Sequence, residues 1–277
     1  MKRRTFLHTT IAASGLAALP ALTLAAEDKP KPARQLFELR TYLLRADKQP
    51  LLDAYFSQAL IPALNRLGVK SVGAFTELPA PPTTTPQPAA TTTPPVSQVP
   101  ASYLLIPYQS AEQMASVTAG LWSDAAYQKA AAEYLSIPAT DAVYDRVESS
   151  LFSAIEGMPQ LEAPTGKPTL FNLRIYESHN EAAAKKKIEM FNQGELSIFR
   201  RVGLTPVFFG EALVGARLPN LTYLLAFQDE AARTAAWNTF RNDPDWKTLR
   251  AIPEYEDKRI VSKITNKLLT PTEYSQF

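Results

Sequence analysis

One heptapeptide of this chain occurs twice with two changes. Leu36-Phe37-Glu38-Leu39-Arg40-Thr41-Tyr42 returns as Leu170-Phe171-Asn172-Leu173-Arg174-Ile175-Tyr176. The offset, about 134 residues, is far longer than a solenoid unit of ~20–50 residues. It points to two copies of one small domain fused in tandem.

The first copy is preceded by a leader. Lys2, Arg3 and Arg4 form a short positive segment, and an apolar stretch rich in Ala and Leu runs to Ala26. This is a secretory signal layout. Arg3-Arg4 followed by Thr5-Phe6-Leu7 resembles a twin-arginine signal. Residues 1–26 are therefore expected to be an export signal, residues 27–34 a proline-broken tether, and the mature protein periplasmic or extracellular. No membrane span is expected once the leader is removed, because the apolar core is modest and holds Pro20.

The chain has 29 Lys and Arg against 27 Asp and Glu. Removal of the leader takes three of the basic residues and no acid, which leaves 26 against 27. Such a balance gives no basic footprint for nucleic acid and no polybasic membrane patch. There is no cysteine, which excludes disulfides, a thiol nucleophile and a cysteine-based zinc site. His179 is the single histidine after the leader, too few for a zinc site of the usual kind. No cofactor and no metal are expected.

Both copies carry the same order of local signals. Residues 36–42 alternate as a strand does. A long helix follows, with Asp47 as its expected cap and Pro50 in its first turn. Pro62 is expected to kink that helix, and Gly68 to end it. Strands are predicted over about 69–78, 103–107 and 143–152. Ser110-Ala-Glu-Gln113 opens a second helix as a capping box. Asp124 caps a short one that runs to about Leu135. In the second copy, residues 170–176 are a strand and 181–202 a long helix ended by Gly203. Strands at 204–214 and 259–264 are predicted, and Thr222-Tyr223-Leu224-Leu225 matches Ser102-Tyr103-Leu104-Leu105. Asp243-Pro244 opens the short helix that answers Asp124. The first copy spans 35–156, the linker 157–168 and the second copy 169–277. Only the first holds an insertion, residues 79–100, with eight prolines and six threonines. Each copy thus reads β-α-β-β-α-β with an extra helix, a ferredoxin-like unit. The expected class is α+β, two ferredoxin-like repeats with antiparallel sheets fused in one chain.

The Leu-Arg-x-Tyr strand, the glycine-ended long helix, the Tyr-Leu-Leu strand and the short helix around Tyr127 or Trp246 together resemble the NIPSNAP family, in both halves. That resemblance implies a fold of the dimeric α+β barrel group. The group includes cofactor-free monooxygenases, haem-degrading enzymes and members of no known activity. The leader and the Pro/Thr insertion depart from the family's mitochondrial members.

Candidate chemistry gathers on the repeated strand. Phe37, Leu39 and Thr41 are taken as the face toward the helices, so Glu38, Arg40 and Tyr42, with Asn172, Arg174 and Tyr176, are expected to point into the barrel. Arg40, Tyr42, Arg174 and Tyr176 are the expected ligand-binding residues; no catalytic residue is assigned. A buried guanidinium needs an anionic partner, which Glu38 can supply to Arg40 and Asn172 cannot supply to Arg174. Tyr103 and Tyr223 are expected to be core residues, Trp122, Trp237 and Trp246 to pack helices on sheet, and Lys185-Lys186-Lys187 to be a solvated helix face. Three functions follow as expectations: binding of a small acidic or aromatic ligand in the barrel between the repeats, cofactor-independent oxidation there, or protein interaction with a filled interior. A cavity reached by the arginines would separate the first two from the third. A homo-oligomer is compatible with each of them.

Overall fold

The computed structural model describes residues 33–45, 47–79 and 100–277. The predicted leader, most of the tether and nearly all of the Pro/Thr insertion lie outside the described residues. Residues 33–277 form one compact unit.

Four strands of the first repeat are β1 (Leu36–Leu44), β2 (Gly73–Glu77), β3 (Ser102–Tyr108) and β4 (Tyr144–Ala154). Those of the second are β5 (Leu170–Glu177), β6 (Thr205–Val214), β7 (Asn220–Phe227) and β8 (Lys263–Pro271). They close into one antiparallel barrel in the order β1-β3-β2-β8-β5-β7-β6-β4. Within a repeat the order is that of a ferredoxin-like sheet, and the exposed edges of one repeat pair with those of the other. Strand β2 meets β8 through Phe75 opposite Pro271, and β4 meets β6 through Phe152 opposite Ala212. The short β2 gains further support from the tail after β8. The Thr272 and Gln276 amides donate to the Ala74 and Val72 carbonyls, each at 3.0 Å.

The helices lie outside the barrel. The first long helix, α1, covers residues 49–66, and its counterpart α4 covers 181–201. Two more follow in each repeat: α2 (Ala111–Ser123) and α3 (Ala125–Ala130), then α5 (Glu230–Asn242) and α6 (Pro244–Arg250). Ser110, Asp124 and Asp243 accept from backbone amides at the starts of α2, α3 and α6, which relieves donors a helix leaves unpaired. Gly68 and Gly203 end the long helices at φ of 88° and 86°, a left-handed conformation that favours glycine.

Some expectations need correction. Asp47 does not cap α1. It takes a φ of 62°, and Lys48 stands at the cap without a side-chain capping bond. The long helix is deformed already before Pro62. A π-helical turn over Tyr55–Leu60 precedes it, and α4 has a similar turn over Phe191–Glu195 with no proline. The last strand starts at Lys263 rather than Arg259, because Asp257–Ile260 forms a helical turn. Strand β8 must also reach far enough to pair with both β5 and β2. Trp122 does not pack on the sheet; it is 67% exposed.

Three apolar cores result. Two lie between the sheet and the helices of each repeat. The third draws on all eight strands, with Phe37, Leu39, Phe75, Leu105, Phe152, Phe171, Phe208, Leu224 and Leu269 among its members, and so fills the barrel lumen. Phe37 and Phe208 lie 5.1 Å apart between ring centres, and Phe75 and Phe171 4.8 Å apart. Both pairs cross between repeats. A Cβ on Gly210 would come within 2.6 Å of Phe152 Cβ, so that close approach requires glycine.

Phe208→Ala is expected to destabilise the chain by about 3–5 kcal/mol through a cavity in this lumen, whereas Trp122→Ala is expected to stay within about 0.5 kcal/mol. Urea denaturation measures both.

Candidate functional site

The structure places Arg40, Tyr42, Arg174 and Tyr176 on the face opposite to the one expected. Phe37 and Leu39 enter the lumen core. Tyr42 and Tyr176 belong to the cores beneath the helices, and the arginines lie on the same face as these tyrosines, since alternate residues of a strand share a side. The physical reason is that both faces of the barrel strands are covered. The lumen is filled by side chains from all eight strands and takes the most apolar set. The helix layer opens to solvent at its margin, where a guanidinium can bury its stem and keep its head hydrated. The Arg40 side chain is 22% exposed there.

In the first repeat the arginine has an internal partner. Arg40 Nε and Nη2 donate to the two Glu38 carboxylate oxygens at 2.6 and 3.0 Å. Tyr108 and Ser149 hydroxyls donate to the same carboxylate at 3.0 and 2.8 Å. Burial works against the charge of Glu38, but Arg40, Ser149 and Tyr108 together hold its pKa below the ordinary range. Tyr42 is packed edge-on against Phe56 and Tyr144.

In the second repeat that partner is missing. The Asn172 amide turns instead to Asn266 Oδ1 at 2.6 Å and to the Lys267 carbonyl at 3.2 Å. Arg174 donates from Nη2 to the Tyr176 hydroxyl at 3.1 Å and from Nη1 to Asn266 Oδ1 at 3.5 Å. Its guanidinium carbon stands 4.6 Å from the centre of the Trp237 ring. Among the described residues Arg174 makes no ion pair. Its Nε is buried with no hydrogen-bond partner, as is the Nε1 of Trp237. Burial opposes the charge on Arg174, while the phenols of Tyr223 and Tyr176 hold its pKa above the usual value. The Tyr223 hydroxyl donates to Tyr176 at 2.9 Å. Tyr176 oxygen thus accepts twice, and its own proton is left to donate.

Tyr223 joins this site through a register the sequence match missed. Tyr223 lies opposite Arg174, but Tyr103 lies opposite Thr41. The structural equivalent of Tyr223 is therefore Leu104. A slip of one residue sends a side chain to the other face, so Tyr103 enters the lumen and Tyr223 the helix layer. In the lumen Tyr103 donates to Glu77 at 2.7 Å, and Lys267 of the second repeat pairs with the same carboxylate at 2.8 Å.

The lysine run also proves less uniform than expected. Lys185 is exposed, but Lys187 is only 2% exposed and pairs with an equally buried Glu195 at 2.9 Å. Its ammonium lies 5.3 Å from the Tyr176 ring centre and 4.8 Å from that of Phe191. Burial opposes the charge of Lys187, yet the Glu195 carboxylate holds its pKa up. The sequence signal was position: Lys187 falls on the buried stripe of Ala183, Ala184, Met190 and Phe191. Glu195 is thereby occupied by Lys187. Lys187→Met alone is expected to cost about 3 kcal/mol by leaving Glu195 unpaired, and Lys187→Met with Glu195→Leu to cost less; thermal unfolding of both variants checks this. His179 sits exposed in the turn after β5. Among the described residues no group of His, Asp and Glu is placed to hold a metal ion, and no helix is long and apolar enough to cross a membrane.

Residues 171–276 match the NIPSNAP family model. A comparison with curated protein sequences finds no match. A proposed monooxygenase from Fusobacterium nucleatum is similar in structure over 86% of this chain and 93% of its own, with a TM-score of 0.56 and 10% identity. Another from Lactobacillus acidophilus covers 86% and 94%, with a TM-score of 0.54 and 9% identity. An uncharacterized NIPSNAP-like domain protein from Burkholderia xenovorans aligns with 40% of this chain and 90% of its own, at 18% identity and a TM-score of 0.36. The first two likenesses carry the fold and no activity. The second repeat thus matches the NIPSNAP family model, in a chain whose eight strands close into one antiparallel α+β barrel.

Proposed function

We propose that the second repeat binds a small carboxylic acid at Arg174, with the ligand's aromatic or apolar body against Tyr176 and Trp237. The observation that carries this reading is the contrast between two equivalent arginines. Arg40 holds a carboxylate in a bidentate grip, and Arg174 has only neutral partners and an unpaired Nε. A guanidinium in such surroundings gains most from an anion. The Asn266 side of the site is exposed, and the acid enters from there. This moves recognition out of the lumen, which phenylalanines occupy, and beneath the helices of one repeat. In the same proposal, the leader-like pattern of residues 1–26 supports binding outside the cytoplasm.

The filled lumen favours a second reading, an interaction protein with no small ligand. Titration of the mature chain with benzoate, followed by calorimetry and tryptophan fluorescence, separates the two. Arg174→Ala is expected to weaken benzoate by about ten- to hundredfold, the worth of a charge-assisted bond, with the far-UV circular dichroism unchanged. Equal affinity in the variant would remove Arg174 from the binding site, and no binding of any aromatic acid by the wild type would favour the interaction reading.

The first repeat gives a stability prediction from the same contrast. Glu38→Gln is expected to cost about 3 kcal/mol at neutral pH, because it leaves Arg40 without its counter-charge. The folded pKa of Glu38 is depressed, so its contribution is fully present above the ordinary glutamate value of about 4.5 and is lost as pH falls through the lower folded value. The stability gap between wild type and variant, measured by urea unfolding, should therefore narrow only in acid. A gap independent of pH would show that the Glu38 charge contributes nothing.

A further inference from the structure

The two repeats place Glu38 and Asn172 at one equivalent position. Glu38 stands opposite Ile106 and Leu151, and Asn172 opposite Leu225 and Leu268. Two residues on, Arg40 faces Ser149 across the β1–β4 ladder, and Arg174 faces Asn266 across β5–β8. We infer that Glu38 is a built-in ligand: its carboxylate fills, in the first repeat, the site that the second repeat leaves open to an external carboxylate. The residue at this position then decides which repeat binds. This inference rests on the Arg174 reading proposed above and adds the residue that governs it.

The Glu38 carboxylate receives four donors: two from Arg40, one from Tyr108 and one from Ser149. That nearly exhausts what a carboxylate accepts, and it leaves Arg40 no reason to take an outside acid. Asn172 keeps a similar shape without the charge. It is fully buried, and its amide nitrogen is spent on Asn266 and the Lys267 carbonyl. The donors around Arg174 are then in excess. Arg174 Nε and Trp237 Nε1 have no acceptor, against one unpaired acceptor nearby, Asn172 Oδ1, and the Tyr176 oxygen already accepts from Arg174 and Tyr223, which leaves its proton to donate. Donors without acceptors select an acceptor-rich group, and the positive charge selects an anionic one. A monocarboxylate fits both conditions, and its neutral amide analogue fails the second. Phe227 stands where the first repeat has Tyr108, so the hydroxyls of the open site come from Tyr176 and Tyr223 instead.

The test is calorimetric titration of the mature chain with sodium benzoate, with benzamide as the neutral control. Wild type is expected to take one benzoate per chain and no benzamide. Asn172→Glu supplies the missing internal carboxylate and is expected to weaken benzoate at least about tenfold. Asn172→Asp, which keeps the shape of asparagine, gives the same test if the larger side chain disturbs folding. Glu38→Asn frees Arg40 and is expected to raise the stoichiometry toward two. Benzoate binding that Arg174→Ala abolishes, but that folded Asn172→Glu and Asn172→Asp leave unchanged, overturns the inference and spares the Arg174 reading. No benzoate binding by the wild type removes the reading itself and the inference with it.

Discussion

Edge pairing between the repeats governs the rest of this structure. A four-stranded ferredoxin-like sheet has two unpaired edges, each a row of backbone groups that must find partners or face water. Here β2 and β4 of the first repeat bond to β8 and β6 of the second. One chain thereby closes a barrel that two separate copies would otherwise have to build. Closure also covers both faces of every sheet, one by helices and one by the sheet across the lumen. The tail beyond β8 strengthens the weaker seam, where β2 and β8 share only three residue pairs. There the Ser275 hydroxyl accepts from the Ala74 amide at 3.1 Å.

A closed lumen dictates where charge can go. Water does not reach its middle, and phenylalanines from both repeats meet there. The charged pair that does face the lumen, Glu77 with Lys267, keeps about a quarter of each side chain exposed. The two arginines of the repeated strand are therefore held under the helices. Each half solves the same problem differently: one arginine is neutralised by Glu38, and the other is surrounded by phenols and an indole. A change of one residue type at one strand position separates a self-satisfied cluster from one with donors to spare.

The long helix of the second repeat adds a buried ion pair to that cluster. Lys187 and Glu195 lie eight residues apart across a π-helical turn. Removing two charges from water is costly and is compensated only by close pairing. The pair belongs to the same layer as Arg174, and Glu195 feels the charge of that guanidinium but makes its ion pair with Lys187.

The sequence determined the repeat, the order of elements, the caps at Ser110, Asp124 and Asp243 and the glycine stops at Gly68 and Gly203. These depend on local backbone chemistry, which a single strand or helix end displays by itself. The contrast between Glu38 and Asn172 was equally legible, because charge is a property of the residue. The facing of β1 and β5 was not. A period of two separates the sides of a strand but does not say which side is inner when both are covered. The match of Tyr103 to Tyr223 was off by one register, and the burial of Lys187 contradicted its charged neighbours. Only tertiary structure decided these, since pairing across strands sets register and the filled lumen claims the most apolar face.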